Sequence, residues 1–238
     1  YSSLYDFFVT PRLHIKYNPF DWLHVRASAG KGFRTANVLA ENNYLLSSSR
    51  KMNIAADLDQ EEAWNTGVNL SFYIPLFGKE LTLNGEWYYT DFRKQVVVDM
   101  DSDPHAVSFY NLDGCSYSNS FQVEATYPFF RGFTLTAAYR YTDAKTDYRN
   151  AESVTRRLKK PLVSDYKGLL TVSYQTPLKK WQFDLTGQFN GGGRMPTPDA
   201  VNPLWKPDFK AYTIVNAQVT KYFRRWSIYV GAENIFDY

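Results

Sequence analysis

The aspartates between Asp99 and Asp103 have the spacing with which a calcium-binding loop opens. That motif also requires glycine at its sixth position and a bidentate glutamate at its twelfth. Pro104 and Tyr110 occupy those two positions, so the motif is incomplete. The segment is therefore interpreted as a solvated acidic loop, and calcium bound in another geometry stays open as an alternative.

A second segment, Gly191 to Pro198, is rich in glycine and proline. It lacks the lysine and hydroxyl residue that end a phosphate-binding loop, and no helix pattern follows it. We interpret it as a long loop in which Arg194 and the nearby Trp205 are candidate ligand contacts. An aromatic loop that covers a ligand and a plain solvated loop both fit this composition.

Catalytic and metal-binding patterns are weak elsewhere. His14 and His24 fall on polar faces of neighbouring predicted strands, and His105 falls in a loop, so three ligands do not converge. The single cysteine, Cys115, excludes an internal disulfide and any metal site built from cysteines. No nucleophile accompanies a recognisable base motif. The sequence predicts no enzyme, no metal site and no cofactor.

The elements that carry these residues are predicted from composition and periodicity. Of the 238 residues, 18% are aromatic, which favours strands, and the formal net charge of +3 argues against a nucleic-acid partner. From Leu23 to Gly30 apolar and polar residues alternate, and the same period of two recurs from Leu81 to Thr90 and from Trp181 to Asn190. This alternation gives each strand one apolar and one polar face.

About ten such strands are predicted, each around ten residues or longer, whereas soluble strands average five or six. They span residues 7–17, 22–32, 62–74, 80–92, 116–127, 132–142, 165–175, 180–190, 209–222 and 226–234. Tight turns alternate with long loops, which cover residues 33–61, 93–115, 143–164 and 191–208. Short turns at one end and long loops at the other are typical of an antiparallel transmembrane β-barrel of the outer membrane.

Aromatic residues also gather at the predicted tight turns, as an interfacial girdle would. They are Phe20, Trp22, Phe77, Phe129, Phe130, Trp181, Phe223 and Trp226. A soluble β-sandwich with aromatics in turn-proximal pockets is the alternative. Its polar faces would be rich in lysine, whereas Gln, Asn, Asp, Glu, Ser and Thr dominate here, as in a wet lumen.

Several motifs carry a family resemblance. Residues 26–37 hold the Gly-Phe-Arg sequence at a strand end, residues 60–67 read Gln-Glu-Glu-Ala-Trp-Asn-Thr-Gly, and residues 233–237 read Glu-Asn-Ile-Phe-Asp. Together with residues 161–168 they span nearly the whole chain, and their order and spacing resemble those of TonB-dependent outer-membrane receptors. The chain is similar to the C-terminal half of that family's barrel.

The resemblance implies a 22-stranded barrel whose lumen is closed by an N-terminal plug domain. Residues 1–238 are accordingly expected to form a partial barrel domain, with the plug, the early strands and the last strand absent. It also implies import of a scarce small-molecule nutrient, such as siderophore-bound iron, cobalamin or oligosaccharide. The plug would be displaced by the inner-membrane TonB complex.

Under this interpretation, charged residues should line the outer mouth of the barrel. Arg26, Arg34, Asn37 and the acidic pair Glu61 and Glu62 are the candidate contacts to plug or ligand, through charge-assisted hydrogen bonds. Internal ion pairing is the competing interpretation. Arg156, Arg157, Lys159 and Lys160 are expected to meet lipopolysaccharide phosphates or an anionic ligand, or to be a solvated charge run.

Two alternatives to the import receptor remain open at the level of sequence. One is a soluble β-sandwich binding module, and the other is a small passive porin closed from these strands alone. The expected location is the outer membrane of a Gram-negative bacterium, where membrane lipid and lipopolysaccharide surround the barrel.

Overall fold

The computed structural model describes residues 7–149, 155–197, 199 and 201–237. Ten strands pair in chain order as one antiparallel meander. They are β1 (Arg12–Phe20), β2 (Leu23–Arg34), β4 (Glu61–Leu76), β5 (Lys79–Lys94), β8 (Ser116–Phe130), β9 (Phe133–Arg149), β11 (Tyr166–Gln175), β12 (Trp181–Asn190), β15 (Tyr212–Tyr222) and β16 (Ser227–Ala232). An eleventh strand, β10 (Thr155–Lys159), pairs only with β9. All ten predicted strands are confirmed in number and order.

The sheet is open. Within the described residues, β1 pairs only with β2 and β16 only with β15, so the two edges do not meet. Within the described residues, the smaller sheets have two and three strands, which is too few for the second sheet of a β-sandwich over this wall. The fold is therefore a partial barrel wall.

Tight turns join the strands at one end because the local residues adopt the backbone that such turns need. Phe77 and Gly78 both have positive φ, at 48° and 75°, which suits a two-residue hairpin. At the next turn Gly132 has φ of 80°, and a Cβ there would clash with the carbonyl oxygen of Gln175. This close approach explains why the position is glycine.

The alternating pattern places polar side chains on one face of the sheet and apolar side chains on the other. On the polar face, Asn69 donates to Glu86 at 2.9 Å and Ser173 donates to Asp184 at 2.6 Å, each across neighbouring strands. On the other face Leu185 is 51% exposed although it is apolar. An apolar face of this kind suits contact with lipid, and the polar face suits a wet lumen. We call the polar face the lumen face.

The four long connections were predicted as loops, and this was wrong for much of their length. They contain α1 (Val38–Glu41), a 3-10 helix (Asn43–Ser47), β3 (Lys51–Ile54), β6 (Val96–Asp99), β7 (Ala106–Asn111), β13 (Gly193–Arg194) and β14 (Asp208–Phe209). Strand β7 pairs in parallel with β3 and antiparallel with β6, forming a separate three-stranded sheet. Within the described residues, no helix is long and apolar enough to cross a membrane.

The buried apolar core lies in these connections and not in the main sheet. Its members are Val38, Leu45, Val96, Met100, Val107 and Phe109. Val107 and Phe109 are almost completely inaccessible. We call the structured connections at the long-loop end the outer cap.

Candidate functional site

Arg34 and Glu61 join the outer cap to the main sheet. They lie opposite each other at the ends of β2 and β4, and the Arg34 Nε donates to Glu61 at 2.6 Å. Arg34 also lies 3.2 Å from Glu41 of α1, while Glu61 accepts from the backbone N–H of Val96 at 3.1 Å. The two residues therefore form an internal ion-pair network at the outer mouth.

The side chains of Glu62 and Asn37 have other partners, although the backbone N–H of Asn37 donates to Glu41 of this network at 3.1 Å. Glu62 is on the opposite face of β4 and pairs there with Lys31 at 2.8 Å. Asn37 caps α1, because its side chain accepts from the backbone N–H of Ala40 at 3.2 Å. Both residues have structural partners in place.

The placement of Arg26 at the outer mouth was wrong. Arg26 is on the lumen face, in the fourth position of β2 after a tight turn, with Lys16 and Asn69 as its cross-strand neighbours. Eight positions separate it from Arg34, which corresponds to roughly 26 Å along an extended strand. Arg26 therefore lies near the end of the sheet at which the tight turns join the strands.

Arg194 links two distant connections within the cap. Its Nη1 donates to both carboxylate oxygens of Asp101, at 2.8 and 2.9 Å, and its Nε donates to the carbonyl of Lys159 at 2.7 Å. The guanidinium also lies 5.7 Å from the centre of the Tyr148 ring. Its side chain is only 14% exposed. Arg194 is thus held in a buried contact.

Trp205 also has an internal partner. The Arg50 guanidinium lies 5.0 Å from the centre of its ring, which is a cation–π distance. Pro198, which ends the glycine-rich segment, lies outside the described residues. Gly193 and Arg194 within that segment form the short strand β13, paired with β14. The segment is therefore partly ordered by pairing.

The aspartates that resemble a calcium loop accept hydrogen bonds within the outer cap. Asp99 is 2% exposed and accepts from the backbone N–H groups of Asp101 and Ser102 and from the Tyr110 hydroxyl. Burial raises the pKa of Tyr110 well above its ordinary range, and the nearby Asp99 carboxylate adds to the effect. Within the described chain, no group of three or more His, Cys, Asp or Glu side chains is placed to hold a metal ion.

A cavity of about 550 Å³ lies between the strand ends and the outer cap. Its lining includes Arg34, Tyr44, Gln95, Tyr148 and Lys160 together with apolar residues of β6 and β7. The Gln95 Oε1 is buried and has no hydrogen-bond partner among the described residues. A buried acceptor without a donor is unfavourable unless a ligand or water supplies one. The cavity therefore has the volume and polarity of a small-molecule site.

Sequence reasoning missed most residues of this cavity. Of the residues singled out from the sequence, Arg34, Glu61 and Lys160 line it. Tyr44, Gln95 and Tyr148 come from three separate connections and have no shared spacing. Only the folded cap brings them together.

The family model for the β-barrel of TonB-dependent receptors matches residues 1–235 of the chain. The chain belongs to this family. No curated protein sequence matches this receptor barrel.

Solved structures resemble the receptor barrel in fold. The FrpB iron transporter of Neisseria meningitidis has a TM-score of 0.65 at 12% identity, with 96% of this chain and 34% of that chain covered. The siderophore receptor PirA of Pseudomonas aeruginosa has a TM-score of 0.62 at 16% identity, with coverage of 96% and 36%. The copper transporter OprC has a TM-score of 0.67 at 12% identity, with coverage of 95% and 33%. The chain thus spans about a third of the length of these proteins.

The basic residues of the third long connection divide into two groups in the receptor barrel. Arg157 pairs with Asp147 at 2.8 Å, and Lys159 pairs with Asp165 at 2.8 Å. The hydrogen bond to Asp165 raises the pKa of Lys159. Arg156 is exposed on β10, and Lys160 lines the cavity. Internal pairing therefore occupies two of the four cations expected to meet lipopolysaccharide.

Proposed function

We propose that the protein containing this chain is an outer-membrane receptor that imports a scarce nutrient with energy supplied through TonB. The observation that carries the proposal is the family match over residues 1–235. Siderophore-bound iron, cobalamin and oligosaccharide are the candidate cargoes. A metal-containing cargo is the first candidate, because structural neighbours are named as iron, siderophore and copper proteins.

The cavity under the outer cap is the proposed first binding site for the nutrient. It combines a buried unpartnered acceptor on Gln95 with two tyrosines and apolar walls. Such a site binds a solute that offers a hydrogen-bond donor and some apolar surface. Arg34 and Glu61 are proposed to fix the wall of the site through their ion pair, and we assign Arg194 and Trp205 the same supporting role within the cap.

The remaining partners are proposed on the same basis. The receptor would meet TonB through a plug domain, and the exposed apolar face would contact outer-membrane lipid. Arg156 is the cation proposed to reach lipopolysaccharide phosphate. We propose a structural role for Asn37 as the cap of α1 and for Glu62 as the partner of Lys31. The proposal includes neither an enzymatic reaction nor a cofactor.

The test is uptake by cells that express the intact receptor. Each labelled candidate cargo is offered to cells with and without functional TonB, and uptake of one cargo only in the TonB-containing cells is expected. Uptake that is equal in both strains would indicate a passive porin and contradict the proposal. Failure of all candidate cargoes would contradict the proposed cargo classes.

A variant of Gln95 then tests the cavity. Gln95→Met keeps the side-chain length and removes the buried acceptor, so binding of the imported cargo should weaken about tenfold. Gln60→Met makes the same change one residue before β4, outside the cavity lining, and should leave binding unchanged. If the two variants bind the cargo with equal affinity, Gln95 does not contribute to the binding site.

A further inference from the structure

Lys221 lies on the apolar face of the wall, close to the tight turns. In the cross-strand register it is opposite Trp181 of β12 on one side and Ile228 of β16 on the other. Both neighbours are exposed apolar side chains. Lys221 is the last residue but one of β15, so its charge lies at the level of the turns. The face that suits lipid therefore carries an ammonium group at its turn end.

Two aromatic rings hold this ammonium group. The Lys221 Nζ lies 4.1 Å from the centre of the Trp181 ring and 5.6 Å from the centre of the Phe223 ring, which are cation–π distances. Phe223 stacks in turn on Trp226, with ring centres 3.9 Å apart. The stem of a lysine covers apolar surface while its charge reaches the polar layer. The ammonium group is thus positioned at an aromatic belt of the kind found at membrane interfaces.

Four more cations lie in the two tight turns beside Lys221 and are exposed: Lys179, Lys180, Arg224 and Arg225. The two turns are joined, because the backbone N–H of Tyr222 donates to the carbonyl of Lys180 at 2.8 Å. Residues 176–183 and 219–232, which include all five cations, contain no aspartate or glutamate. We call the five cations, together with the rings of Trp181, Phe223 and Trp226, the basic turn patch.

The apolar face continues directly from the basic turn patch toward the middle of the wall. The next row in the register consists of Phe183, Val219 and Val230, and all three side chains are exposed. Leu185 follows on the same face, at the middle of β12. A cluster of cations therefore ends an exposed apolar strip. A phospholipid has the matching arrangement, with a phosphate at the end of its acyl chains.

The charge of the basic turn patch selects among phospholipids. Clusters of Lys and Arg at a membrane surface attract anionic lipid, and each cation adds to the attraction over a distance of about one Debye length. A zwitterionic headgroup carries an amine beyond its phosphate, and this positive charge would lie against five cations. An anionic headgroup such as phosphoglycerol has no such charge. The patch therefore favours an anionic headgroup over a zwitterionic one.

We propose that the basic turn patch binds the phosphate of an anionic glycerophospholipid, whose acyl chains lie along Phe183 and Val219. The ligand goes beyond the proposed import function, since it is not cargo. Its binding requires only that the barrel lie in a bilayer with its tight turns at the inner-leaflet surface, where the short turns of outer-membrane barrels lie. A lipid bound there holds β12, β15 and β16 at a fixed depth in the bilayer.

The test uses the intact receptor with fluorine-labelled tryptophan in an uncharged detergent at low salt. Fluorine NMR follows the signals of Trp181 and Trp226, which are assigned from their loss in Trp181→Phe and Trp226→Phe. Dioleoyl phosphatidylglycerol is the probe, and dioleoyl phosphatidylcholine, with the same chains, is its control. The anionic lipid should shift both signals at about one tenth of the concentration that the zwitterionic lipid needs. Trp87, an exposed apolar-face residue of β5, should respond equally to the two lipids.

Variants then test the cations. Lys221→Gln, and separately Arg224→Gln with Arg225→Gln, should weaken the response of Trp226 to the anionic lipid about tenfold. Lys221→Arg keeps the charge and should respond as the wild type does. Lys79→Gln removes one cation at another tight turn and should also leave the response unchanged.

Equal response of Trp181 and Trp226 to the two lipids would mean an unselective lipid layer and overturn the proposal, as would an anionic-lipid response that survives loss of the cations. Glycerol phosphate, which has no acyl chains, should shift neither signal. A shift equal to that with the lipid would identify a site for free phosphate instead. A shift with oligoglutamate but not with lipid would assign the patch to an acidic protein, and the lipid proposal would be wrong. Because no import is measured, these results are independent of the uptake test.

Discussion

The charged residues of this receptor barrel differ most in whether the fold supplies their partners. Arg194 and Asp101 are 14% and 15% exposed in their side chains and bind each other through two hydrogen bonds. Arg149 and Asp113 form a bond of the same length, but the Asp113 side chain is 74% exposed. Removal of one partner is expected to matter only where the other stays buried.

Arg194→Met tests this difference. It leaves the Asp101 carboxylate buried without its cation, so the local opening free energy of the cap should fall by about 3–5 kcal/mol. Hydrogen exchange of the Asp101 and Thr197 amides measures that opening. Arg149→Met is the matched control, for which we expect a change below about 1 kcal/mol. Equal changes in the two variants would mean that Arg194 does not hold the cap together.

At the scale of elements, alternation gives each strand of the wall one apolar face and one lumen face. Leu185 lies at the middle of β12 on the apolar face, and its neighbour Thr186 faces the lumen, where its hydroxyl is 3.0 Å from that of Thr171. Leu185→Arg should therefore destabilise the folded barrel in a bilayer by about 2–4 kcal/mol. Thr186→Arg and Thr126→Arg should be tolerated, as the lumen is wet. Urea titration of bilayer-inserted receptor measures the difference, and equal effects on both faces would refute the assignment of the faces.

The tight turn before β9 provides a second test at this scale. Gly132→Ala places a Cβ against the carbonyl oxygen of Gln175 in a backbone with positive φ. We expect a loss of about 1–3 kcal/mol in the same titration. Gly85→Ala, where a Cβ meets nothing within 4 Å, is the control and should stay close to wild type. A similar loss at both positions would show that the turn geometry is not the cause.

Alternation predicts the wall well because strand faces are a local property. The pattern from Leu81 to Thr90 requires no knowledge of distant residues, and β5 confirms it. The outer cap could not be predicted in this way. Parallel pairing of β3 with β7 joins segments 55 residues apart, and its short strands have no alternation long enough to identify. Gln95 lies between β5 and β6 and meets the other cavity residues only in the folded cap, so the sequence offered no sign of its place there.

At the scale of the whole molecule, the open edges of the main sheet determine whether the chain can insert into a bilayer. The outer N–H and C=O groups of β1 and β16 have no neighbouring strand within the described residues. In hydrocarbon each unsatisfied backbone group costs several kcal/mol, and for this reason membrane sheets are closed. The mouth network spans only the part of a wall that these strands provide. Within the described residues, this sheet does not enclose a lumen by itself.

The isolated chain of 238 residues should therefore not insert into bilayers as a monomer. Refolding into lipid vesicles, followed by electrophoresis of unheated and heated samples, measures insertion through the faster migration of folded barrels. The intact receptor is the control and should show this shift, whereas the isolated chain should aggregate through its two free edges. A shifted monomer band with ion conductance in a planar bilayer would mean that β1 and β16 can pair with each other. That result would favour the small passive porin over the import receptor, because a wall able to close alone needs neither a plug nor further strands.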